Sequence, residues 1–137
     1  MENVNHEAYV SFEVAKRLKE AGFDWSSFAY YDTNNILCIS DVLITKESSD
    51  LTEHINCLAP TLEVAQRWLR EVKDIYTMVF KDFATIDGWH YFVVKKEDWE
   101  SGNESNFYQQ ESNHHTYEES QEAGIKKALE LILEKRK

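Results

Sequence analysis

Residues able to ligate, cleave or transfer are few in this chain, and they are scattered. His114 and His115 form its one local histidine cluster. Neighbours in an extended segment point to opposite sides, which suits joint ligation of a zinc ion poorly; such sites use helix-spaced or Cys-x-x-Cys pairs. His54 and Cys57 stand at i and i+3, but no second pair completes a ligand set. We therefore expect no metal and no cofactor. Asp87, on a turn, has the type and place of a first nuclease carboxylate, and such chemistry gathers acids around a divalent cation. The following strand reads Val93-Val94-Lys95, without the acid two residues before the lysine that a restriction-type core uses. Phosphate-loop, nucleophile-elbow, HExxH and dinucleotide-turn patterns are missing as well. No catalytic residue is assigned.

Charge says more. Fifteen basic side chains face 25 acidic ones, a formal charge of −10, and nucleic-acid binding needs a basic surface to displace phosphate counterions. Direct nucleic-acid binding is not expected. Arg67, Arg70 and Lys73 make a small basic patch, interrupted by Glu71 and Asp74. Between Glu97 and Ile125 no lysine or arginine occurs, whereas Glu97, Asp98, Glu100, Glu104, Glu111, Glu118, Glu119 and Glu122 do. Such a region can dock on a basic protein surface by steering a cationic partner. It can equally be a solubilising face with ordinary first-turn glutamates at a helix start. For the docking alternative the expected contact residues are Glu97, Asp98, Trp99, Glu100, Glu118, Glu119 and Glu122. Phe107 and Tyr108 either anchor that interface or tuck onto a sheet edge. Trp25, Trp68 and Trp89 are assigned mainly to the core, and Trp99, between two acids, to partial exposure.

At 137 residues a single domain, 1–137, is the expectation, burying roughly two thirds of the surface its unfolded chain exposes. Seven Phe, seven Tyr and four Trp supply the apolar area. Cys38 and Cys57 lie among apolar neighbours and read as reduced core thiols, which with the polar, acidic start of the chain points to the cytoplasm. The longest apolar runs, such as Ile36-Leu37-Cys38-Ile39, fall far short of the roughly 20 residues that span a bilayer. No membrane association is expected.

These side chains need elements to hold them. Ser11 precedes Phe12, Ala15, Leu18 and Ala21 at helical spacing, and Gly22 offers the left-handed close, so a helix is predicted over 12–21 with Phe23 folding back onto Leu18. Phe28-Ala29-Tyr30-Tyr31 reads as a strand, Asp32-Thr33-Asn34-Asn35 as a turn, and Ile36 to Thr45 as one or two returning strands. Lys46 to His54 reads as a surface loop. Pro60 ends an extended segment, Thr61 caps, and Leu62, Ala65, Trp68, Leu69 and Val72 stripe the next helix, with Gln66 among its water-facing residues. A second hairpin follows, Ile75 to Phe83 and Trp89 to Lys95, reversing at Asp87-Gly88. Glu97 to His115 is a long polar segment, at this length either functional or mobile. Thr116-Tyr117-Glu118-Glu119 is a capping box in which Glu119 reaches back to the cap. It opens a helix with Tyr117, Gln121, Ile125, Ala128, Leu129 and Ile132 on one face and Lys135-Arg136-Lys137 complementing its end. Gly124 inside it costs about 1 kcal/mol relative to alanine and marks a close crossing over the sheet. Short connections force antiparallel neighbours. The predicted fold is α+β: an antiparallel sheet of four or five strands with three helices mostly on one face, in the order α-β-β(-β)-α-β-β-α.

Several of these pieces carry a resemblance: Leu18-Lys19-Glu20-Ala21-Gly22-Phe23-Asp24, Tyr30-Tyr31-Asp32, Ala59-Pro60-Thr61-Leu62 with Trp68-Leu69-Arg70-Glu71, and Thr116-Tyr117-Glu118-Glu119 with Glu122-Ala123-Gly124-Ile125 and Ala128-Leu129. With them the chain resembles uncharacterised small proteins of Bacteroides-group gut bacteria, their phages and mobile elements. Ser120 stands where such proteins often have alanine. The resemblance implies a cytoplasmic accessory protein and brings no activity with it, so no functional residue transfers. The leading expectation is a non-enzymatic accessory protein, monomeric or a small homo-oligomer, that binds a protein partner with a basic surface. The alternatives are a small hydrolase or nuclease-like enzyme and a homo-oligomeric structural protein using an exposed sheet edge.

Overall fold

The computed structural model describes residues 8–83, 88–104, 107–109 and 114–134. Its elements are α1 (Phe12–Glu20), β1 (Ser27–Asp32), β2 (Leu37–Ile44), α2 (Lys46–Leu51), β3 (Ile55–Leu58), α3 (Leu62–Val72), β4 (Ile75–Lys81), β5 (Trp89–Lys95), α4 (Lys96–Ser101), β6 (Tyr108–Gln109) and α5 (Tyr117–Glu134). The class is α+β with antiparallel strands, as the sequence predicts. The arrangement differs. In place of one sheet of four or five strands, the described residues form two sheets, β2-β1-β3 and β4-β5-β6, the last strand only two residues long. The described residues form five helices where three are expected. Each hairpin recruits its third strand from the nearby chain, β3 beside β1 and β6 beside β5, at low loop-closure cost. The chain divides into two compact units, Met1–Val64 and Ala65–Lys137.

In the first unit, Ser11 caps α1 by accepting the Val14 N–H at 3.3 Å, and Val14, Ala15 and Leu18 are buried. The helix closes on Gly22 at φ 97. Gly22 N–H donates to Lys19 and Phe23 N–H to Leu18, which is the Schellman pair. This turns Phe23 back into the core, 4% exposed. Between β1 and β2, the Asp32 carboxylate accepts the N–H groups of Asn34 at 2.8 Å and Ile36 at 3.0 Å, and Asn35 takes the left-handed φ of 63. β3 pairs the other side of β1, with Tyr30 opposite Leu58 and Tyr31 opposite Cys57. The segment just before α1 is tied by Val10 N–H, which donates to the Pro60 carbonyl, and by the Tyr31 hydroxyl, which donates to the Val10 carbonyl. The expected loop at 46–54 is instead α2, where Thr45 accepts the Ser48 N–H at 3.1 Å and Ser49 is buried. Thr61 caps α3 through the Val64 N–H.

In the second unit, β4 and β5 form an unbroken seven-residue ladder from Ile75 opposite Lys95 to Lys81 opposite Trp89. β6 extends it, setting Tyr108 opposite Val93. α5 buries Ile125, Ala128 and Leu129 completely. A Cβ on Gly124 would lie 3.1 Å from the Tyr91 Cβ, so the close crossing read from this glycine is real. α3 buries Ala65, Trp68 and Leu69, but Val72, expected on its apolar stripe, is 47% exposed. Gln66, expected to face water, instead accepts from Gln121 and donates to the Thr77 carbonyl at 2.7 Å. At the start of α5, Thr116 accepts the Glu119 N–H at 3.1 Å, while Glu119 accepts from His115 N–H, one residue before the cap. The long polar segment 97–115 contains most of α4 and all of β6. Trp68 is fully buried, Trp25 and Trp89 are half-buried, and Trp99 is 54% exposed. Asp87 and Lys135-Arg136-Lys137 lie outside the described residues. Among the described residues, no helix is long and apolar enough to cross a membrane.

Because the Tyr91 Cβ is fixed to a central strand, Gly124→Leu should lower stability by roughly 1–3 kcal/mol through overpacking. Gly124→Ala should bring no gain despite the helix-propensity advantage of about 1 kcal/mol. Urea unfolding of both variants measures this.

Candidate interaction surface

The seven residues expected to form one acidic docking face fall at two places in the second unit. α4 follows Lys95 directly and carries Glu97, Asp98, Trp99 and Glu100. α5 starts beside the other end of β5, where the rings of Tyr117 and Trp89 meet at 5.4 Å, and carries Glu118, Glu119 and Glu122. β5 has seven residues, and a strand of that length separates its ends by about 20 Å. Screening at physiological salt acts over about 8 Å, so the two groups do not sum into one field. Asp98 is 9% exposed, and Glu119 is engaged at the helix cap. Glu97, Glu100 and Glu118 are exposed, and Glu122 is half-exposed.

At the α4 end lies a cavity of about 530 Å³, lined by Lys73, Asp74, Ile75, Lys95, Lys96, Glu97, Glu100, Leu131 and Ile132. Three lysines stand against three acids there, so their formal charges cancel. Asp74 holds φ 55, and its carbonyl accepts the Lys96 N–H at 2.8 Å, which joins the end of α3 to the start of α4. Phe107 and Tyr108 tuck in. Phe107 meets Phe92 edge-on at 5.4 Å and stacks on Trp99 at 5.9 Å, and the Lys127 ammonium sits 4.9 Å from the Tyr108 ring.

In the first unit, Tyr30, Asp32, Cys38 and His54 come together. Tyr30 and His54 meet edge to face at 5.9 Å, and the Cys38 thiol points at the Asp32 carboxylate at 3.8 Å. The Ile36 N–H, helped by Asn34, Cys38 and His54, holds the Asp32 carboxyl below its ordinary range. Desolvation, with Cys38 and Asp32 nearby, raises the Tyr30 phenol. Asp32 spends its oxygens on the turn, so its work here is positional. Among the described residues, no three His, Cys, Asp or Glu side chains are placed to hold a metal ion. Cys57 is a core thiol as expected, raised in pKa by burial against an opposing pull from Lys19 and Lys16. Cys38 is not; it is half-exposed on the sheet.

The larger feature of this unit escaped the sequence reading. Phe28 at 49%, Ile36 at 58%, Ile39 at 64%, Val42 at 66% and Leu43 at 53% are all exposed. They share one hairpin, and β2 is an edge strand. The signal was the run Leu37 to Ile44, in which Ser40 and Asp41 interrupt the apolar residues without giving a clean period of two. Between Lys19 and Lys46 the chain has no lysine or arginine, and its charges there are Glu20, Asp24, Asp32 and Asp41. The first unit holds eleven acidic and four basic residues, a formal −7 of the total −10.

The chain is an α+β protein whose described residues form two antiparallel-sheet units. Comparison with protein-family models, curated proteins and solved structures finds no match.

Alkylation should modify Cys38 roughly tenfold or more faster than Cys57, because reactivity follows access and thiolate fraction. Cys38→Ser should remove the fast phase, as peptide mapping after timed iodoacetamide treatment would show. Because the folded Asp32 pKa lies below the unfolded one, its contribution is complete above the ordinary carboxylate range and fades as pH falls through the folded value. Asp32→Asn should therefore lose less stability than the parent on acidification below about pH 4, read as urea midpoints across pH.

Proposed function

We propose that this chain is a non-enzymatic accessory protein that acts by binding another protein, and that the β1–β2 hairpin of the first unit makes the contact. The observation that carries this reading is the group of apolar side chains at Phe28, Ile36, Ile39, Val42 and Leu43, each about half exposed or more, on one hairpin. Apolar residues collected on one element in this way mark interaction sites more often than isolated ones do. The sequence resemblance supports a phage or mobile-element setting and a cytoplasmic location. The negative charge of the first unit supports a partner with a basic surface, steered at long range. In this reading the glutamates at the start of α5 contribute to solubility and to the helix cap, and they are not the contact.

Tagged protein incubated with host extract should retain a partner whose recovery falls sharply for Ile39→Ser/Val42→Ser. Recovery should change little for Glu118→Gln/Glu122→Gln. The opposite pattern would return the docking role to the acidic end of α5 and overturn the hairpin reading.

A further inference from the structure

We infer that the outer edge of β2 receives an extended segment of the partner as an added antiparallel or parallel strand, and that this segment alternates apolar residues with lysine or arginine. The inference rests on the protein-binding reading above and names the chemistry of the partner at that site. Three observations carry it.

The first is the direction of the backbone. Asp32 N–H donates to the Ile36 carbonyl, and the register then places Leu37 opposite Tyr31, Cys38 opposite Tyr30 and Ile39 opposite Ala29. In an antiparallel ladder, bonded and non-bonded pairs alternate. The bonded pairs are thus Asp32 with Ile36 and Tyr30 with Cys38, so Leu37 and Ile39 turn their N–H and C=O groups away from β1. Independent support comes from the far side of β1, where the Ala29 carbonyl accepts from Ala59 in the β3 direction. Among the described residues, no strand pairs the outer side of β2.

The second is the lack of the usual protection. Sheet edges are commonly blunted by lysine, proline or a bulge. β2 contains neither lysine nor proline. Its irregularity, between the pairs Ser27 with Ile44 and Ala29 with Ile39, leaves the stretch Leu37–Ile39 regular. An incoming strand would meet ordered donors and acceptors flanked by the exposed side chains of Leu37 and Ile39.

The third is charge complementarity, which selects the occupant. The hairpin carries Asp32 and Asp41 and no positive residue. A second copy of this chain would bring the same Asp41 and a unit of formal charge −7 to the edge, so self-pairing is opposed. A basic and apolar segment has both complements, and in strand addition the backbone supplies affinity while alternate side chains supply selectivity.

The test uses the full chain and three fluorescein-labelled ten-residue peptides read by anisotropy: one alternating valine and lysine, one alternating valine and glutamate, and the first again with prolines at two alternate positions. The valine-lysine peptide should bind, and each control should bind at least about tenfold more weakly. Ile39→Pro removes an outward N–H and leaves the bonds to β1 in place, so it should reduce binding by a similar factor. Ile39→Lys keeps the backbone and adds a repelling charge, and it decides the matter if the proline variant does not fold. Equal binding of the glutamate peptide, or undiminished binding by Ile39→Lys, would overturn the inference. So would reversible dimerisation of the parent chain in sedimentation that Ile39→Lys abolishes, since a second copy would then fill the edge. If no peptide binds while the extract experiment still depends on Ile39 and Val42, strand addition fails and the protein-binding reading stands. If that dependence is absent too, both fail.

Discussion

The phase of one antiparallel ladder governs what the first unit can offer. A strand alternates side chains between its two faces, and its bonded and free amides alternate with them. Asp32 sets that phase by gathering the N–H groups of Asn34 and Ile36 on one carboxylate and giving its own N–H to Ile36. From this turn outward, Cys38 is committed to β1, and Leu37 and Ile39 face away from it. A slip of one residue would put Cys38 on the outside and return Ile39 to the internal ladder. Exposed apolar side chains and outward amides therefore coincide on β2 because of how a turn is closed, several residues away.

The second unit depends on a different constraint, the close approach of α5 to β5 at Gly124 and Tyr91. With no Cβ at that position, the helix lies near enough to the strand to bury Ile125, Ala128 and Leu129 without remainder. The helix then runs the length of the ladder, from Trp89 beside Tyr117 at one end to Leu131 and Ile132 beside Lys95 at the other. The same run that packs the core carries the acidic groups of α4 and α5 apart. Residues that look like one charge block along the chain become two, and the block near α4 meets Lys73, Lys95 and Lys96.

What the sequence made legible is local. The caps at Ser11, Thr61 and Thr116, the Gly22 closure, the Asp32 turn and the bounds of β5 were all readable, because each depends on a few adjacent residues. α2 was missed because five polar residues and one leucine show no period, although Thr45 before Lys46 was a capping signal of the kind that identified α1. α4 was hidden because its acids were counted as charge rather than as a first turn, and Gly102, in the left-handed conformation at its end, was read as loop. The division into two sheets lay beyond reach for another reason. Which strand joins which hairpin is decided by non-local pairing, and neither β3 with four residues nor β6 with two carries enough pattern to announce its neighbour.

Charge is spread differently along the chain and over its surface. The run 97–125 holds no positive residue and is the conspicuous acidic stretch of the sequence. The same kind of gap occurs between Lys19 and Lys46, where only four acids lie among the intervening residues and no dense cluster draws attention. A charge near apolar, uncovered surface has more consequence for binding than the same charge on a solvated helix turn. Where such surface loses its water, effective permittivity falls and each charge pair counts for more. On that ground Asp41 holds the more consequential place, on β2 beside the exposed Ile39, Val42 and Leu43, whereas Glu119 is engaged at the start of α5.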